Sequence, residues 1–450
     1  MKLTERLSHF VIRSRFEDFP EEVIETSKKC LLDWIGVSMG GMKDPSVEMV
    51  VDLMKEVGGK KQASVLGYGF KTTILNVALI NGMMSHVLDY DDAHSESRSH
   101  PSAPLLPALL AISEYKKLKG KDLITAFVIG FEVSTRIGLA LGKTYYERGW
   151  HATSVLGRFG SAVGVGKLLR LNQKQLTHAM GLAATQAGGL RRVFGTMGKP
   201  FHAGKASMDG MLSALLALRG FNAPEDILDG KSNFLEIFSG GYDPNRITQG
   251  LGREYQVLKD SFKPYAACLL IHPAIDSLIW MREQGDFDLD SVEQIDLEVS
   301  PLCMTVTDNP DPKNGLEGKF SIYFCAALAL AEGKVQESQF TQEKMKDCRV
   351  RDFMRKMKVL GVDSLKETEA RVVVKLKNKA QLDRRVLAPK GDPRNPMSFD
   401  EIADKFRDLT QDLLSDRQMD QILHIVQNLE RIKDPSTLLK LCRVKKIDCQ

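Results

Sequence analysis

No CxxC pair occurs among the seven cysteines, Cys30, Cys268, Cys303, Cys325, Cys348, Cys442 and Cys449. Scattered thiols of this kind argue against a zinc knuckle or iron–sulfur cluster and for a reducing compartment. The opening segment MKLTERLSHFVIRSRFEDFPEE has neither the apolar core nor the small-residue cleavage site of a secretory signal, so export is not expected. The most apolar run, Leu123 to Leu141, carries Glu132 and Arg136 in its middle. Hydrocarbon would penalise each by roughly 2.5 to 3.5 kcal/mol, so the run reads as a buried helix, with no membrane partner. No GxGxxG or GxSxG is present, and GSAVGVGKLL has Ser161 and Leu168 where a phosphate loop needs Gly and Ser or Thr. Nicotinamide, serine-hydrolase and nucleotide chemistry lack support, and no cofactor is expected. A net charge of +4 over 450 residues is too mild to suggest nucleic acid. The expectation is a cytoplasmic, globular protein.

One absence is local. Between Arg148 and Met208 there is no Asp or Glu, although the chain has 58 acids, while nine Lys or Arg occur there. Such a stretch suggests a surface facing a small anion. Helical periodicity covers the first 250 residues, with apolar faces such as Val23, Ile24, Cys30, Leu31 and Trp34 behind Pro20-Glu21-Glu22, and Val47, Val50, Met54 and Val57 ahead of Gly58-Gly59. Further helices are expected at about 73–88, 104–117, 122–141, 153–170, 173–187 and 204–219. Small-residue runs at 160–166 and 181–189 allow close backbone approach. After about residue 265, alternation at Ile295, Leu297 and Val299 and at Val372, Val374 and Leu376 indicates strands, with a helical run at 320–333 between them. Prolines in 387–396 break the pattern, and helices return at 398–414, 416–431 and 435–442. The expected fold is mainly α: a large all-helical domain, 1–265 plus 397–450, with an inserted smaller α+β lid domain, 266–396.

Seven of the nine histidines lie between positions 86 and 272, and the densest polar cluster is HVLDYDDAHSESRSHPSAP. Asp89, Asp91, Asp92, His94 and His100 could bind a metal or cap a helix, but their spacing matches no standard metal signature. Acid/base work is the remaining option, since imidazole exchanges protons near neutral pH. Lys199-Pro200-Phe201 and Lys263-Pro264-Tyr265 each put Lys before Pro, which predicts an extended backbone at the lysine and a fixed ammonium. Together with Arg191, Arg192, His202 and Lys205 these form a candidate anion site. His151, after Gly149-Trp150, stands where a helix N-terminus would meet that anion.

The blocks NGMMSHVLDYDDAHSESRSHPSAPLLPALLA, GWHATSVLGRFG, GLRRVFGTMGKPFHAGKAS, FKPYAACLLIHPAIDS and KGDPRNPMS resemble, in order and over nearly the whole chain, the MmgE/PrpD family. The resemblance implies a homodimeric enzyme with a helical domain and an α+β lid, and a metal-independent reaction on a small polycarboxylate. It places Asp89, His100, His151, Lys199 and Lys263 in the active site. Tyr90, Asp91, His94, Arg191, Arg192, His202, Lys205 and Tyr265 are the expected substrate-binding residues. Proton abstraction beside a carboxylate, stabilised by lysines, leads first to a lyase like 2-methylcitrate dehydratase. A cis-aconitate decarboxylase-like or iminodisuccinate epimerase-like outcome, or a non-catalytic anion binder, stays open. The sequence departs from the family pattern at Ala93, where Thr is common, and at Asp209, where a small or amide residue is common.

Overall fold

In the computed structural model, which describes residues 1–285 and 287–444, the chain divides into two compact units. One is Met1–Ser261 with Ser398 to Val444; the other is Phe262–Met397.

The first unit opens with α1 (Leu3–Arg13), α2 (Glu21–Gly40) and α3 (Pro45–Val57). Asp44 caps α3 by accepting the Ser46 N–H at 2.8 Å, with Pro45 filling the first turn where no donor is needed. A two-residue antiparallel pair, β1 (Ala63–Ser64) and β2 (Lys71–Thr72), interrupts the helices, so this unit is not all-helical as expected. There follow α4 (Ile74–Met84), α5 (Ser102–Lys116), α6 (Gly120–Leu141), α7 (Thr144–Glu147), α8 (Ala152–Leu168), α9 (Gln173–Thr185) and α10 (Gly198–Leu218). Helices Phe399–Thr410, Asp416–Gln427 and Ser436–Leu441 complete the unit, the first of them packed on α2.

The apolar helix α6 is long enough to cross a membrane, yet its most apolar window is wholly buried inside the protein. The two charges in its middle answer each other: Arg136 Nε donates to Glu132 Oε2 at 2.8 Å, and the guanidinium also donates to the carbonyls of Gln249 and Glu254 at 2.5 and 2.6 Å. Small residues set the helix spacing. A Cβ on Gly82 of α4 would lie 2.7 Å from Gly204 Cα of α10, and one on Gly204 would lie 2.2 Å from the Leu79 carbonyl oxygen. These helices therefore touch backbone to backbone, which brings the chain leaving α4 beside the start of α10.

Two helix boundaries differ from the expectation, and both matter for the site. The α4 helix ends at Met84 instead of about 88, leaving His86 to Asp89 in a turn that closes with Asp89 at φ 55°. Short polar Asp tolerates this left-handed conformation better than most side chains. The α10 helix starts at Gly198, six residues before the expected 204, and Lys199 is helical despite preceding Pro200. In the first turn a proline removes an N–H that had no intrahelical acceptor, so the helix tolerates it there.

The second unit is α+β. Its strands are β3 (Val292–Val299), β4 (Met357–Gly361), β5 (Ala370–Leu376) and β6 (Gln381–Val386), ordered β4-β3-β5-β6; the β3–β4 pair is parallel and the other two are antiparallel. Ile295 faces Val374 and Leu297 faces Val372 across β3 and β5, so the alternating apolar residues form one buried face. Helix His272–Glu283 covers β5 and β6 and packs on Ile322–Glu332. The latter is capped by Ser321 Oγ, which accepts the Phe324 N–H at 3.2 Å.

Candidate active site

In the first unit the site grows from the turn between α4 and α5. His86 Nδ1 meets Asp91 Oδ2 at 2.7 Å, and His100 Nδ1 lies 3.3 Å from the same oxygen. His100 Nδ1 is also 2.7 Å from the Asp92 carbonyl oxygen. A carbonyl only accepts, so Nδ1 carries the proton and the Nε2 lone pair of His100 is left as a base. The His100 side chain keeps 17% of its surface, whereas those of His86 and Asp91 keep 0% and 2%. Of this trio, only His100 is reachable.

Burial works to raise the Asp91 carboxyl, but the imidazoles of His86 and His100 outweigh it and hold Asp91 well below the ordinary carboxylate value. Burial also pushes His86 down to about 4, so its ring is neutral near pH 7. His151 is the N-cap of α8, and its ring stacks on His86 at 5.8 Å between centroids. Burial first, then His86 and Lys199, push His151 well below its usual range. Its Nδ1 is 3.0 Å from His202 Nδ1, so one ring donates and the other accepts. Burial and Arg158 depress His202 too.

Lys199 and His202 are three apart at the start of α10, on one face. Lys199 Nζ pairs with Asp89 and sits 5.5 Å over the Phe194 ring, which in turn packs edge-on against His151 at 5.0 Å. Burial favours a neutral amine, but the carboxylates of Asp89 and Asp91 outweigh it, so Lys199 stays above its ordinary value and charged. Asp89, Asp91, His86, His100, His151, His202 and Lys199 thus form one set: a fixed cation, an anion, a reachable base and neutral imidazoles.

Other expected binding residues are placed differently. His94 is wholly buried, with Nδ1 2.9 Å from Ser97 Oγ and its ring edge-on to Phe131, so it packs the loop. Tyr90 is 2% exposed, and Lys405 Nζ lies 3.8 Å over its ring while donating to its carbonyl at 2.7 Å. Arg191 stacks on Tyr146 at 3.9 Å, and Arg192 is exposed. Lys205 pairs with Asp209, whose other oxygen takes Arg158 Nε at 3.0 Å; Arg158 also donates to the Ser154 and Gly188 carbonyls. The unusual Asp209 is therefore the counter-ion of a buried arginine. Ala93 contributes its backbone, exchanging hydrogen bonds with Ser261 at 2.9 and 3.0 Å.

Lys263 and Tyr265 belong to the second unit. Phe262 N–H donates to the Gly391 carbonyl at 3.0 Å, and Asp276 accepts from Tyr265 Oη at 2.5 Å and from Lys390 N–H at 2.6 Å. Two of the sequence blocks, FKPY and KGDPRNP, are joined there through Asp276.

Asp276 and His86 were not singled out from the sequence. Both stand inside the quoted blocks: His86 opens the polar cluster five residues before Asp91, and Asp276 stands near the end of the FKPYAACLLIHPAIDS block, where its residue type alone gave it no role. As for metal, donor atoms of His86, Asp91 and His100 lie within 4.8 Å of one another. Both imidazoles already face the one Asp91 oxygen, so the set reads as a hydrogen-bonded relay.

A helical scaffold that sets a reachable imidazole beside a buried carboxylate and a fixed ammonium can move a proton and hold an anion. Residues 5–247 match the MmgE/PrpD N-terminal domain and residues 265–431 the MmgE/PrpD C-terminal domain; the chain belongs to this family. It is similar to the cis-aconitate decarboxylase of Aspergillus terreus, at 28% identity over 98% of this chain and 96% of that one. The cis-aconitate decarboxylase-like protein oryM of Aspergillus oryzae is also 28% identical, over 98% and 97%. The cis-aconitate decarboxylase of Mus musculus is 26% identical, over 98% and 93%.

Proposed function

We propose that this protein is a lyase acting on a small polycarboxylate, and that the bond it breaks joins a carboxylate to the carbon skeleton, releasing CO2. The observation that carries the lyase reading is His100, fixed as a single tautomer by the Asp92 carbonyl and set beside Asp91 and the Lys199–Asp89 pair. The choice of decarboxylation over the dehydration expected from sequence is supported by relatives that align end to end and carry the name cis-aconitate decarboxylase.

Loss of CO2 leaves its bonding electron pair on the skeleton, delocalised toward a remaining carboxylate, where a preorganised ammonium stabilises it. Lys199 supplies that charge. The reaction consumes one proton, which His100 takes up at Nε2 and delivers to carbon, while Asp91 stabilises the imidazolium in between.

The test is to incubate the full chain with cis-aconitate, 2-methylcitrate and iminodisuccinate, following CO2, water loss and solvent deuterium in recovered substrate. CO2 from cis-aconitate is expected, with His100→Asn lower by roughly 10²- to 10⁴-fold. Water loss without CO2 restores the dehydratase reading, and deuterium exchange alone indicates an epimerase. Binding without turnover, or full activity in His100→Asn, refutes this lyase mechanism. Activity is expected to survive chelator treatment.

A further inference from the structure

Behind the His100 loop lies a second acid cluster that the proposed reaction does not use. Asp92 and Asp260 are 1% and 4% exposed, and one oxygen of each lies within 4.8 Å of the other's and of Cys30 Sγ. Asp92 Oδ2 accepts from Ser102 Oγ, and Asp260 Oδ2 faces Cys30 Sγ at 3.6 Å. The other oxygen of each has no donor among the described residues, and neither carboxyl forms an ion pair there. The charged groups around them are Asp33 from α2, Asp91 from the loop, and Lys405 from helix Phe399–Thr410, whose ammonium is engaged by Asp33 at 2.6 Å and by the Tyr90 carbonyl. Two ionised carboxylates in this place would repel each other and leave two buried oxygens bare. A single proton held by the pair removes the repulsion and supplies a donor to the cluster.

We propose that Asp92 and Asp260 share one proton, and that this bond makes Asp260 a positioning residue for His100. The connection is short. Asp92 holds His100 through its carbonyl, Ser102 holds the Asp92 carboxyl, and Asp260 is followed by Ser261, whose backbone clamps Ala93 on both sides. With the shared proton in place, Asp92 is fixed at its side chain and at the next residue, and its carbonyl presents one acceptor to His100 Nδ1. Without it, repulsion would push Asp92 off this position and free the imidazole to change tautomer. In keeping with this, burial pushes the Asp92 carboxyl up to about 6 and Asp260 well above the ordinary range.

The inference rests on the reading of His100 as the proton-moving group, and two of its tests do not involve activity. In the full chain, infrared difference spectra of wild type against Asp260→Asn at neutral pH should show a protonated-carboxyl stretch that shifts in D2O and disappears in the variant. Histidine ¹⁵N spectra should show His100 as the Nδ1–H tautomer in wild type and in Asp260→Asn, whose amide can donate where the acid did. Asp260→Val should give mixed tautomers and, with cis-aconitate, a kcat lower by roughly 100-fold at a KM within about threefold, while Asp260→Asn stays within about threefold in both. No protonated-carboxyl band, or an Asp260→Val enzyme with wild-type tautomer and kcat, overturns the proposal. So does an Asp260→Asn enzyme as impaired as Asp260→Val. If Asp260→Val does not fold, the infrared band and the Asp260→Asn comparison still decide. Full turnover by His100→Asn would sink the reaction mechanism instead, leaving the shared proton to the spectra.

Discussion

Helix α10 carries two lysine–aspartate pairs six residues apart, and they are built for different ends. Lys205 pairs with Asp209 one turn along the same helix, and Asp209 is also bound to the buried Arg158. Both partners ride on one rigid element, so the pair is a fixed part of the packing. Lys199 instead reaches across to Asp89, a residue in a left-handed turn 110 positions earlier, with the His86–Asp91–His100 group beside it. Its partner can be exchanged for another carboxylate without breaking a helix. The same two residue types thus make a counter-ion in one turn of α10 and, in the proposed reaction, a binding group in another, and what separates them is where the acid comes from.

Three measurements would break or sharpen that contrast. The largest effect is expected from Lys199→Met, which should lower kcat by roughly 10²- to 10³-fold, as for loss of one preorganised charge donor. Lys205→Met should stay within about threefold. Equal losses in steady-state assays would erase the distinction. Next, Asp209→Ala strands the Arg158 guanidinium and should cost about 3 kcal/mol in urea unfolding. A change below about 1 kcal/mol would mean that Asp209 is not its essential partner.

The third effect separates packing histidines from working ones. Burial, then Lys259, push His94 from 6.5 to about 3. A histidine with a depressed folded value contributes stability that is complete above its unfolded value and lost as pH falls from 6.5 toward 3. Between pH 7 and 5, His94 should account for about 2 kcal/mol of acid destabilisation. His94→Gln, which takes up no proton, should lack that part of the slope in pH-dependent unfolding curves.

Local signals reached part of this arrangement. The strand alternation of Ile295 and Leu297 with Val372 and Val374 reappears as paired positions, because a half-buried sheet imposes a two-residue period. The polar cluster and Lys199 were legible for the same reason: they are chemically unusual where they stand. Lys199's conformation was not, because the rule that proline excludes helix before it weakens in a first turn. Asp260 was invisible, since its meaning comes from Asp92, 168 residues away, and from a Ser261–Ala93 backbone pairing that no composition reveals. His94 was misleading: it sits among functional neighbours yet turns inward to Ser97 and Phe131.

The resting contact between Asp89 and Lys199 has a bearing on selectivity. An incoming anion finds the ammonium already satisfied, so a lone carboxylate merely exchanges one neutralised partner for another. A molecule bearing several negative groups recovers that loss through its remaining contacts. In the proposed reaction the occupied lysine would therefore set a threshold graded by ligand charge, disfavouring monoacids before any bond is made or broken.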